Sequence, residues 1–528
     1  MHFRRLASAA AVLFLALPAA HADVRLPAVF SDNMVLQRDV PLTIWGWADP
    51  GEKVTVALLP QIAPQQMVPG TTLPAPTPPL KSGEAVAGDD GRWSVRLPAT
   101  ATGLVTPLAL KVQGRSSIVL KDVLIGDVWL CSGQSNMYWP VKDSADAEKE
   151  IAAANFPQIR HFAVAKNVLD RPGDDVHAEW KVCSPATARS FSAVAYYFAR
   201  RLHQELGVPI GLVHSSWSGS PIHPWLSPEA LASDEELRKF AAGLETQVRP
   251  DYEKLRKEFE PKWAEWAKAA QDARAASQPV PPRPEISFRE PGGRYPSGTF
   301  HGMIAPLTRY PIKGVIWYQG ESDAGRAPLY AKLFPAMIRD WRRQWAQPDM
   351  PFFFVQLAAF MDRKDEPSES NWARLREAQT RTLALPRTGM ACTIDIGDAK
   401  NIHPPNKQDV GLRLALNALR VAYGRDLVAS GPMLKGVKLD GNKAALTFSD
   451  LGGGLVVKDG NKLKGFAVAG ADKKFVWADA KIEGETVVVT SDAVKEIAAV
   501  RYAWADNPDC NLFNKAGLPA VPFRTDDW

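Results

Sequence analysis

The chain has 528 residues, of which 46% are hydrophobic, and a formal net charge of +5 at pH 7. This weak charge argues against nucleic acid as a partner, and no stretch after the N-terminus is apolar for long enough to indicate a membrane protein. Four cysteines and no CxxC or HExxH pattern argue against a disulfide-built scaffold and against a metal site, and the length predicts two to four domains.

Residues 1–22 have the pattern of a secretory signal peptide. Arg4 and Arg5 form a basic start, residues 6–20 are apolar, and Ala20-His21-Ala22 is a small-x-small cleavage site. We therefore expect a protein that is exported to the periplasm or secreted, with a mature chain that begins near Asp23.

Residues 23–120 predict an N-terminal β domain. Short apolar runs are separated there by Asp-Pro-Gly and Asp-Gly, which are turn signals. The Pro-rich segment Pro60–Gly88 interrupts this pattern and predicts a long, mobile loop between two strands.

Residues 121–428 predict a catalytic domain of the α/β class. Helical patterns at about 190–206, 328–345 and 407–423 alternate with apolar strands, and this alternation indicates a buried parallel sheet flanked by helices. Ligands of such sheets bind at the carboxyl ends of the strands. The predicted strands are Val128–Cys131, Ile210–His214, Gly314–Tyr318, Phe352–Gln356 and Met390–Asp395.

Two further regions flank or interrupt this domain. Residues 227–297 are charged, favour a helix from Asp251 to Ala276 and become Pro-rich at 279–284, which indicates an insertion. The insertion is either a lid or a solvated helical decoration. At 429–528 the β pattern returns and predicts a C-terminal β region, of sandwich type, packed on the catalytic domain.

The segment Gly133-Gln134-Ser135-Asn136-Met137 directly follows a predicted strand and predicts the nucleophile. The glycine permits a sharp turn that presents Ser135 at the end of the sheet. A serine needs a base, and His403, in a polar loop between a strand and a helix, is the predicted one. His214 and His223 are the competing histidines.

An oxyanion formed at Ser135 requires hydrogen-bond donors. The candidates are the backbone N–H of Ser135, the backbone N–H of Gly219 and the side-chain amide of Gln319. The alternatives are that Gly219 is a simple turn residue and that Gln319 makes a structural hydrogen bond at a strand end.

These motifs together resemble the sialate O-acetylesterase family of carbohydrate esterases, within the SGNH hydrolase superfamily. The resemblance implies a flavodoxin-like SGNH hydrolase core with helices on both faces of its parallel sheet and flanking β-sandwich regions. It also implies a Ser135–His403 pair, removal of O-acetyl groups from a carbohydrate, and no cofactor. The matching segments are Gly133–Met137, Trp217–Ile222 with Trp225, His301–Pro306, Trp317–Ser322 and Ile394–Asp398 with His403-Pro404.

The chain departs from the superfamily pattern at two places. The Asp that usually stands three residues before the histidine is Lys400 here, and the usual Asn of the third block is Gln319. The carboxylate that orients His403 is therefore open between Glu321, Asp398 and Asp395. Glu321 is favoured because related esterases with a Gln-Gly-Glu block use that Glu beside the catalytic histidine.

The residues and the family resemblance together predict an exported serine esterase that deacetylates carbohydrates through an acetyl-serine intermediate. Two substrates stay open, namely an O-acetylated sialic acid and acetylated hemicellulose such as xyloglucan or xylan oligosaccharides. A non-catalytic carbohydrate-binding protein is the alternative of another class. Neither a nucleic acid nor a membrane is expected as a partner, and the sequence does not indicate an oligomeric state.

Overall fold

The computed structural model describes residues 23–61, 79–100, 107–275 and 294–528. The predicted signal peptide at 1–22, the Pro-rich stretch at 279–284 and most of the predicted loop at 60–88 lie outside the described residues. The last part of that loop was predicted wrongly, because Lys81–Val86 is a strand. Its composition is polar, but it pairs antiparallel with the strand Lys53–Pro60 and so forms its ladder through the backbone.

The elements are numbered in chain order. The strands of the N-terminal region and of the central sheet are β1 (Val35–Gln37), β2 (Leu42–Trp47), β3 (Lys53–Pro60), β4 (Lys81–Val86), β5 (Arg92–Leu97), β6 (Leu108–Gln113), β7 (Ser117–Gly133), β8 (Phe156–Ala163), β9 (Trp180–Cys183), β10 (Ile210–Ser216), β11 (Gly314–Tyr318), β12 (Phe352–Val355) and β13 (Thr388–Ala391). The C-terminal strands are β14 (Met433–Asp440), β15 (Lys443–Ser449), β16 (Leu455–Val457), β17 (Phe466–Ala469), β18 (Val476–Trp477), β19 (Asp479–Glu483), β20 (Thr486–Thr490), β21 (Ala499–Tyr502), β22 (Leu512–Asn514) and β23 (Phe523–Arg524). The α-helices are α1 (Ser135–Tyr138), α2 (Ala147–Ala152), α3 (Pro185–Ala188), α4 (Ala193–Leu206), α5 (Pro228–Leu231), α6 (Glu235–Ala275), α7 (Ala327–Gln344), α8 (Asn371–Arg381) and α9 (Lys407–Val421).

The central sheet has the strand order β13-β12-β11-β7-β10-β8-β9 and is parallel except for β9. Helices cover both of its faces. Trp129 on β7 packs against Phe198 of α4. Gly314 on β11 is paired with Trp129 and shares its face, so Trp317, three residues on, points to the opposite face, where it packs against Phe334 of α7. The predicted α/β class with a parallel sheet and helices on both faces is confirmed.

Strand β7 belongs to two parts of the molecule. Its first residues pair antiparallel with β6 of the N-terminal β region, and its last residues pair parallel with β10 and β11. The predicted domain boundary between residues 120 and 121 therefore falls inside one continuous strand, and the N-terminal β region extends the central sheet.

The long periodic helices agree with the prediction. Helices α4, α7 and α9 begin and end within about three residues of the predicted positions, and Gly207 ends α4 in the left-handed conformation, with φ 65°. Helix α6 begins at Glu235 rather than Asp251 and continues through Pro250 and Pro261. Proline is common at the first position of a helix, so Pro250 led to a predicted helix start that lies 16 residues after the observed one at Glu235.

The C-terminal region contains two four-stranded antiparallel sheets, β14-β15-β20-β19 and β18-β17-β21-β23. One cluster of buried apolar side chains from both sheets lies between them, separate from the main core, in agreement with the predicted β-sandwich. The four cysteines are unpaired, and Cys510 alone of them is partly exposed. None of the described helices is both long and apolar enough to cross a bilayer.

Arg376 on α8 connects the C-terminal region to the catalytic domain. Its side chain is fully buried. The guanidinium donates to the carbonyls of Leu357 and Ala358 at 2.7 and 2.8 Å, and to those of Ala505 and Asp506 at 2.6 and 2.9 Å. One side chain therefore satisfies four backbone carbonyls, two on each side of the junction.

We expect Arg376→Met to destabilise the protein strongly. Methionine keeps much of the volume but leaves four carbonyls without their donor, and each buried carbonyl left unsatisfied costs roughly 1–3 kcal/mol of folding free energy. Arg374→Met is the matched control on the same helix, because Arg374 pairs with Glu369 on the exposed surface and its loss should cost under about 1 kcal/mol. Denaturant unfolding measures both, and equal midpoints for the two variants would contradict the assignment.

Candidate active site

Ser135 stands at the carboxyl edge of the central sheet, where β7 ends and α1 begins. The turn requires glycine at position 133. Gly133 has φ 138°, and a Cβ there would lie 2.1 Å from the carbonyl oxygen of Tyr318. The same carbonyl accepts a hydrogen bond from the Gln134 N–H at 2.9 Å. The end of β11 thus holds the nucleophile turn in place.

The structure brings His403 to Ser135. The distance between His403 Nε2 and Ser135 Oγ is 2.8 Å, which is a hydrogen bond of the kind a general base needs. The imidazole stacks on the ring of Trp139, with centroids 4.7 Å apart and an angle of 16° between the planes. The backbone N–H of His403 donates to Asn401 Oδ1 at 2.9 Å. Stacking and the backbone contact together orient the imidazole.

A buried network lies directly beneath this pair. Lys407 Nζ donates to Asn136 Oδ1 at 2.6 Å and to the carbonyl of Pro404 at 2.7 Å. Asn136 Nδ2 in turn donates to Glu321 Oε1 at 2.5 Å and to the carbonyl of Ile402 at 3.0 Å. The network therefore binds the carbonyls of the residues on both sides of His403, and it connects them to the residue after the nucleophile.

Burial shifts the protonation of this network. It lowers the pKa of Lys407 to about 7, although the nearby Glu321 carboxylate raises it. Burial also raises the pKa of Glu321, against its hydrogen bond from Asn136 and the charge of Lys407. The pKa of His403 is lowered by burial and further by the charge of Lys407. A lowered pKa keeps His403 neutral, as a base must be, over a wider pH range.

The predicted carboxylates do not contact the His403 ring. Asp398 is exposed and accepts the backbone N–H groups of Lys400 and Asn401 at 2.8 and 3.1 Å, so it shapes the loop instead. Asp395 is paired with Arg413 at 2.6 and 2.8 Å. Among the described residues, no carboxylate forms a hydrogen bond or an ion pair with the ring. The contacts of Asp398 and Asp395 thus give no support to these two candidates as the carboxylate that orients His403.

Glu321 lies in the site and is bonded to Asn136. Its Oε1 accepts from Asn136, and its Oε2 is buried without a hydrogen-bond partner among the described residues. The structure thus places Glu321 as a positioning residue that reaches the His403 loop through Asn136. The prediction of a carboxylate beside the imidazole needs this correction.

Of the three predicted oxyanion donors, two have no other acceptor among the described residues. The Ser135 N–H is at the start of α1, and the exposed Gly219 has φ 74° and an N–H that no described residue accepts. Gln319 is fully buried, and its amide donates to Asp323 Oδ2 at 2.6 Å and to the carbonyl of Ser220 at 3.4 Å. Because both N–H groups of its amide are used in these bonds, Gln319 links the two loops and has no donor left for an oxyanion.

The two competing histidines are used elsewhere. His214 Nε2 forms a hydrogen bond with Ser216 Oγ at 2.7 Å, and His223 Nε2 with the carbonyl of Arg294 at 2.8 Å. Burial lowers their pKa values to about 4 and about 3. Both histidines are buried, and the imidazole that shares a hydrogen bond with Ser135 Oγ is that of His403.

Three residues of the site, Asn136, Trp139 and Lys407, were not predicted from the sequence. Asn136 stands in the nucleophile segment, but nothing local indicates that it bridges Glu321 and Lys407. A lysine at the first position of α9 resembles an exposed residue in the sequence, whereas Lys407 is fully buried. No group of three or more His, Cys, Asp and Glu side chains in the described ranges is placed to hold a metal ion.

Comparison with known proteins identifies the family. A family model described as carbohydrate esterase, sialic acid-specific acetylesterase, matches residues 300–420. The sialate O-acetylesterase of Mus musculus is 31% identical over 543 residues, covering 94% of this chain and 93% of the mouse protein. The chain belongs to the sialate O-acetylesterase family. Like its family, it is a carbohydrate esterase.

Two further relatives agree with this assignment. The sialate O-acetylesterase of Homo sapiens is 28% identical over 540 residues, covering 94% of this chain and 92% of the human protein. The crystal structure of a carbohydrate acetylesterase from Xanthomonas citri is 39% identical, with a TM-score of 0.79 and coverage of 96% of this chain and 100% of that one. These comparisons confirm the family resemblance of the sequence motifs, and the fold of this chain is close to that of the Xanthomonas citri carbohydrate acetylesterase.

Two carboxylate variants test which acid supports His403. Glu321→Gln should lower kcat by about 10- to 100-fold, because it removes the charge that Asn136 and Lys407 are arranged around. Asp398→Asn should change kcat by less than about threefold, because Asp398 only accepts backbone N–H groups on the surface. Steady-state hydrolysis of an aryl acetate measures both, and a larger loss in Asp398→Asn than in Glu321→Gln would contradict the placement.

The network also predicts a pH shift. Lys407, with its pKa of about 7, is charged in the acidic range where His403 titrates, and this charge disfavours the imidazolium. Lys407→Met should therefore raise the pKa of His403 and move the acid limb of kcat/KM to higher pH, toward the ordinary histidine value of about 6.5. The exposed Lys400 gives the matched control Lys400→Met, for which we expect the wild-type profile. A Lys407→Met profile that coincides with that of the wild type would refute the coupling.

Proposed function

We propose that this esterase removes O-acetyl groups from carbohydrates through an acetyl-serine intermediate. The observation that carries the proposal is the 2.8 Å hydrogen bond between Ser135 Oγ and His403 Nε2 at the carboxyl edge of the sheet. Family membership supports the substrate class, since the relatives are named as acetylesterases that act on sialate or on carbohydrate.

The reaction follows from these positions. His403 takes the proton of Ser135 as Oγ attacks the acetyl carbonyl, and the N–H groups of Ser135 and Gly219 stabilise the resulting oxyanion. When the C–O bond to the sugar breaks, the protonated His403 donates its proton to the leaving sugar hydroxyl. Water then attacks the acetyl-serine with His403 again as base, and acetate leaves while Ser135 recovers its proton.

Aromatic side chains around Ser135 support a sugar substrate. Tyr138, the last residue of α1, is 49% exposed, and Trp139 follows it against His403. Lys166 Nζ lies 5.1 Å from the centroid of the Tyr138 ring and 5.7 Å from that of Trp217. Rings held in this way offer apolar faces with a polar rim, a surface that suits a pyranose ring.

Two classes of acetylated carbohydrate are candidate substrates for this deacetylation. The mammalian relatives favour an O-acetylated sialic acid, and the bacterial carbohydrate acetylesterase is compatible with acetylated hemicellulose such as xyloglucan or xylan oligosaccharides. We further propose that the enzyme acts in the periplasm or outside the cell, on the basis of the signal pattern at 1–22. The alternative of a non-catalytic binding protein is disfavoured, because the nucleophile and base are both present and in contact.

Acetate release tests the proposal directly. The purified mature protein is offered O-acetylated sialic acid, acetylated xyloglucan oligosaccharides and acetylated xylan oligosaccharides side by side. We expect release from at least one of them and a loss of at least about 10³-fold in Ser135→Ala, because removal of the nucleophile leaves only residual catalysis. The control Ser218→Ala changes an exposed serine outside the hydrogen-bonded pair. A folded wild-type protein that releases no acetate, or an active Ser135→Ala, would reject the proposal.

A further inference from the structure

A groove runs along the junction between the catalytic domain and the C-terminal β region. It consists of two adjoining cavities of about 390 and 260 Å³ that share Arg363, Lys464 and Asp509 in their walls. The larger cavity lies between the segment 363–368 and the C-terminal sheets, and the smaller one extends to Gly397 in the loop that leads to His403. We call these two cavities together the junction groove.

The larger cavity contains an exposed, fixed tryptophan. Trp477 is 45% exposed, and its Nε1 donates to the carbonyl of Asp365 at 2.6 Å, which sets the orientation of the indole. A second indole, Trp504, also lines this cavity and is nearly buried, with the guanidinium groups of Arg501 and Arg524 each 5.2 Å from its ring centroid. A rigid aromatic surface of this kind binds the C–H face of a sugar with little loss of side-chain entropy.

The charges of the larger cavity favour a neutral ligand. All three of its basic side chains lie against carboxylates: Arg363 and Lys464 contact Asp509 at 3.4 and 3.0 Å, and Lys364 contacts Asp506 at 3.8 Å. The carboxylates of Asp365 and Glu366, by contrast, are exposed and form no ion pair within the described residues. They can accept hydrogen bonds from sugar hydroxyls, and they would repel an acidic glycan.

The smaller cavity of the groove lies beside the carboxyl edge of the central sheet. It is lined by Ile394, Asp395 and Gly397, which follow strand β13 at the carboxyl edge. In the strand order β13 is separated from β7 by β12 and β11. Since adjacent strands lie about 4.8 Å apart, the end of β13 is roughly 14 Å from the end of β7, where Ser135 stands.

We propose that the junction groove is a second carbohydrate-binding site, which takes a neutral oligosaccharide whose acetylated unit lies at Ser135. Trp477 is the stacking platform, and the free carboxylates at its edge bind hydroxyl groups and select against acidic glycans. The link to catalysis rests on the proposed function. The binding itself does not.

Kinetics with substrates of two lengths test the link. In Trp477→Ala, KM for an acetylated xylohexaose should rise about 5- to 10-fold with kcat unchanged, because one aromatic contact is lost. KM for an acetylated monosaccharide should not change. Trp477→Tyr keeps an aromatic face and should restore most of the affinity. Trp528→Ala is the matched control, since Trp528 is 36% exposed in the same region but does not line the groove. Equal KM values for Trp477→Ala and Trp528→Ala on the hexaose would overturn the link.

Direct binding separates this inference from the proposed function. Calorimetry with unacetylated xylohexaose should detect binding to the wild type and to Trp528→Ala, with the affinity reduced at least fivefold in Trp477→Ala, and hexagalacturonate should bind more weakly than xylohexaose. If the wild type released no acetate from any substrate, the proposed function would fail. The isotherms would still show whether the junction groove binds xylohexaose. Absence of xylohexaose binding, or equal binding by Trp477→Ala, would overturn the second site.

Discussion

The backbone ladder of strand β7 is the constraint on which the rest of the structure depends. Its 17 residues pair with β6 and β1 of the N-terminal region and with β10 and β11 of the central sheet, so both regions share one set of hydrogen bonds. The strand ends at Gly133, where close approach to Tyr318 excludes any side chain. The position of Ser135 is therefore a consequence of the register of the whole sheet.

His403 is held in place by contacts of a different kind from those that position Ser135. Many serine hydrolases orient their histidine with a carboxylate on the ring. In this enzyme Trp139 stacks on His403, and the network of Lys407, Asn136 and Glu321 binds the backbone on either side of it. Burying a lysine is costly, and its carbonyl and amide contacts offset that cost while its lowered pKa reduces the charge that must be buried. A structural network of this kind also sets the proton affinity of the base.

Elements with a strong apolar periodicity, and the serine and histidine in polar segments after strands, could be predicted from the sequence. Helices α4, α7 and α9, strand β11 and the contact between Ser135 and His403 were all predictable from apolar spacing and from the position of polar segments after strands. The partners of Lys407 and Gln319 were not, because Lys407 contacts Asn136 and Gln319 contacts Ser220 from distant parts of the chain. Asp398 instead accepts from the nearby backbone N–H groups of Lys400 and Asn401, a loop conformation that the residue types alone do not indicate. Burial of a lysine, in particular, has no local signature. The composition changes near residue 120 and suggested a domain boundary there, but strand β7 runs without interruption across that position.

The shared strand also governs the order in which the protein can become active. Strand β11 pairs with β7 across about 185 residues of intervening chain, as in the pairing of Leu130 with Val315, and His403 follows later still. Such non-local pairing makes folding slow, since the loop must close before its contacts stabilise it. A nascent chain therefore carries Ser135 long before His403, and hydrolysis by this pair must wait until the chain has been synthesised past His403.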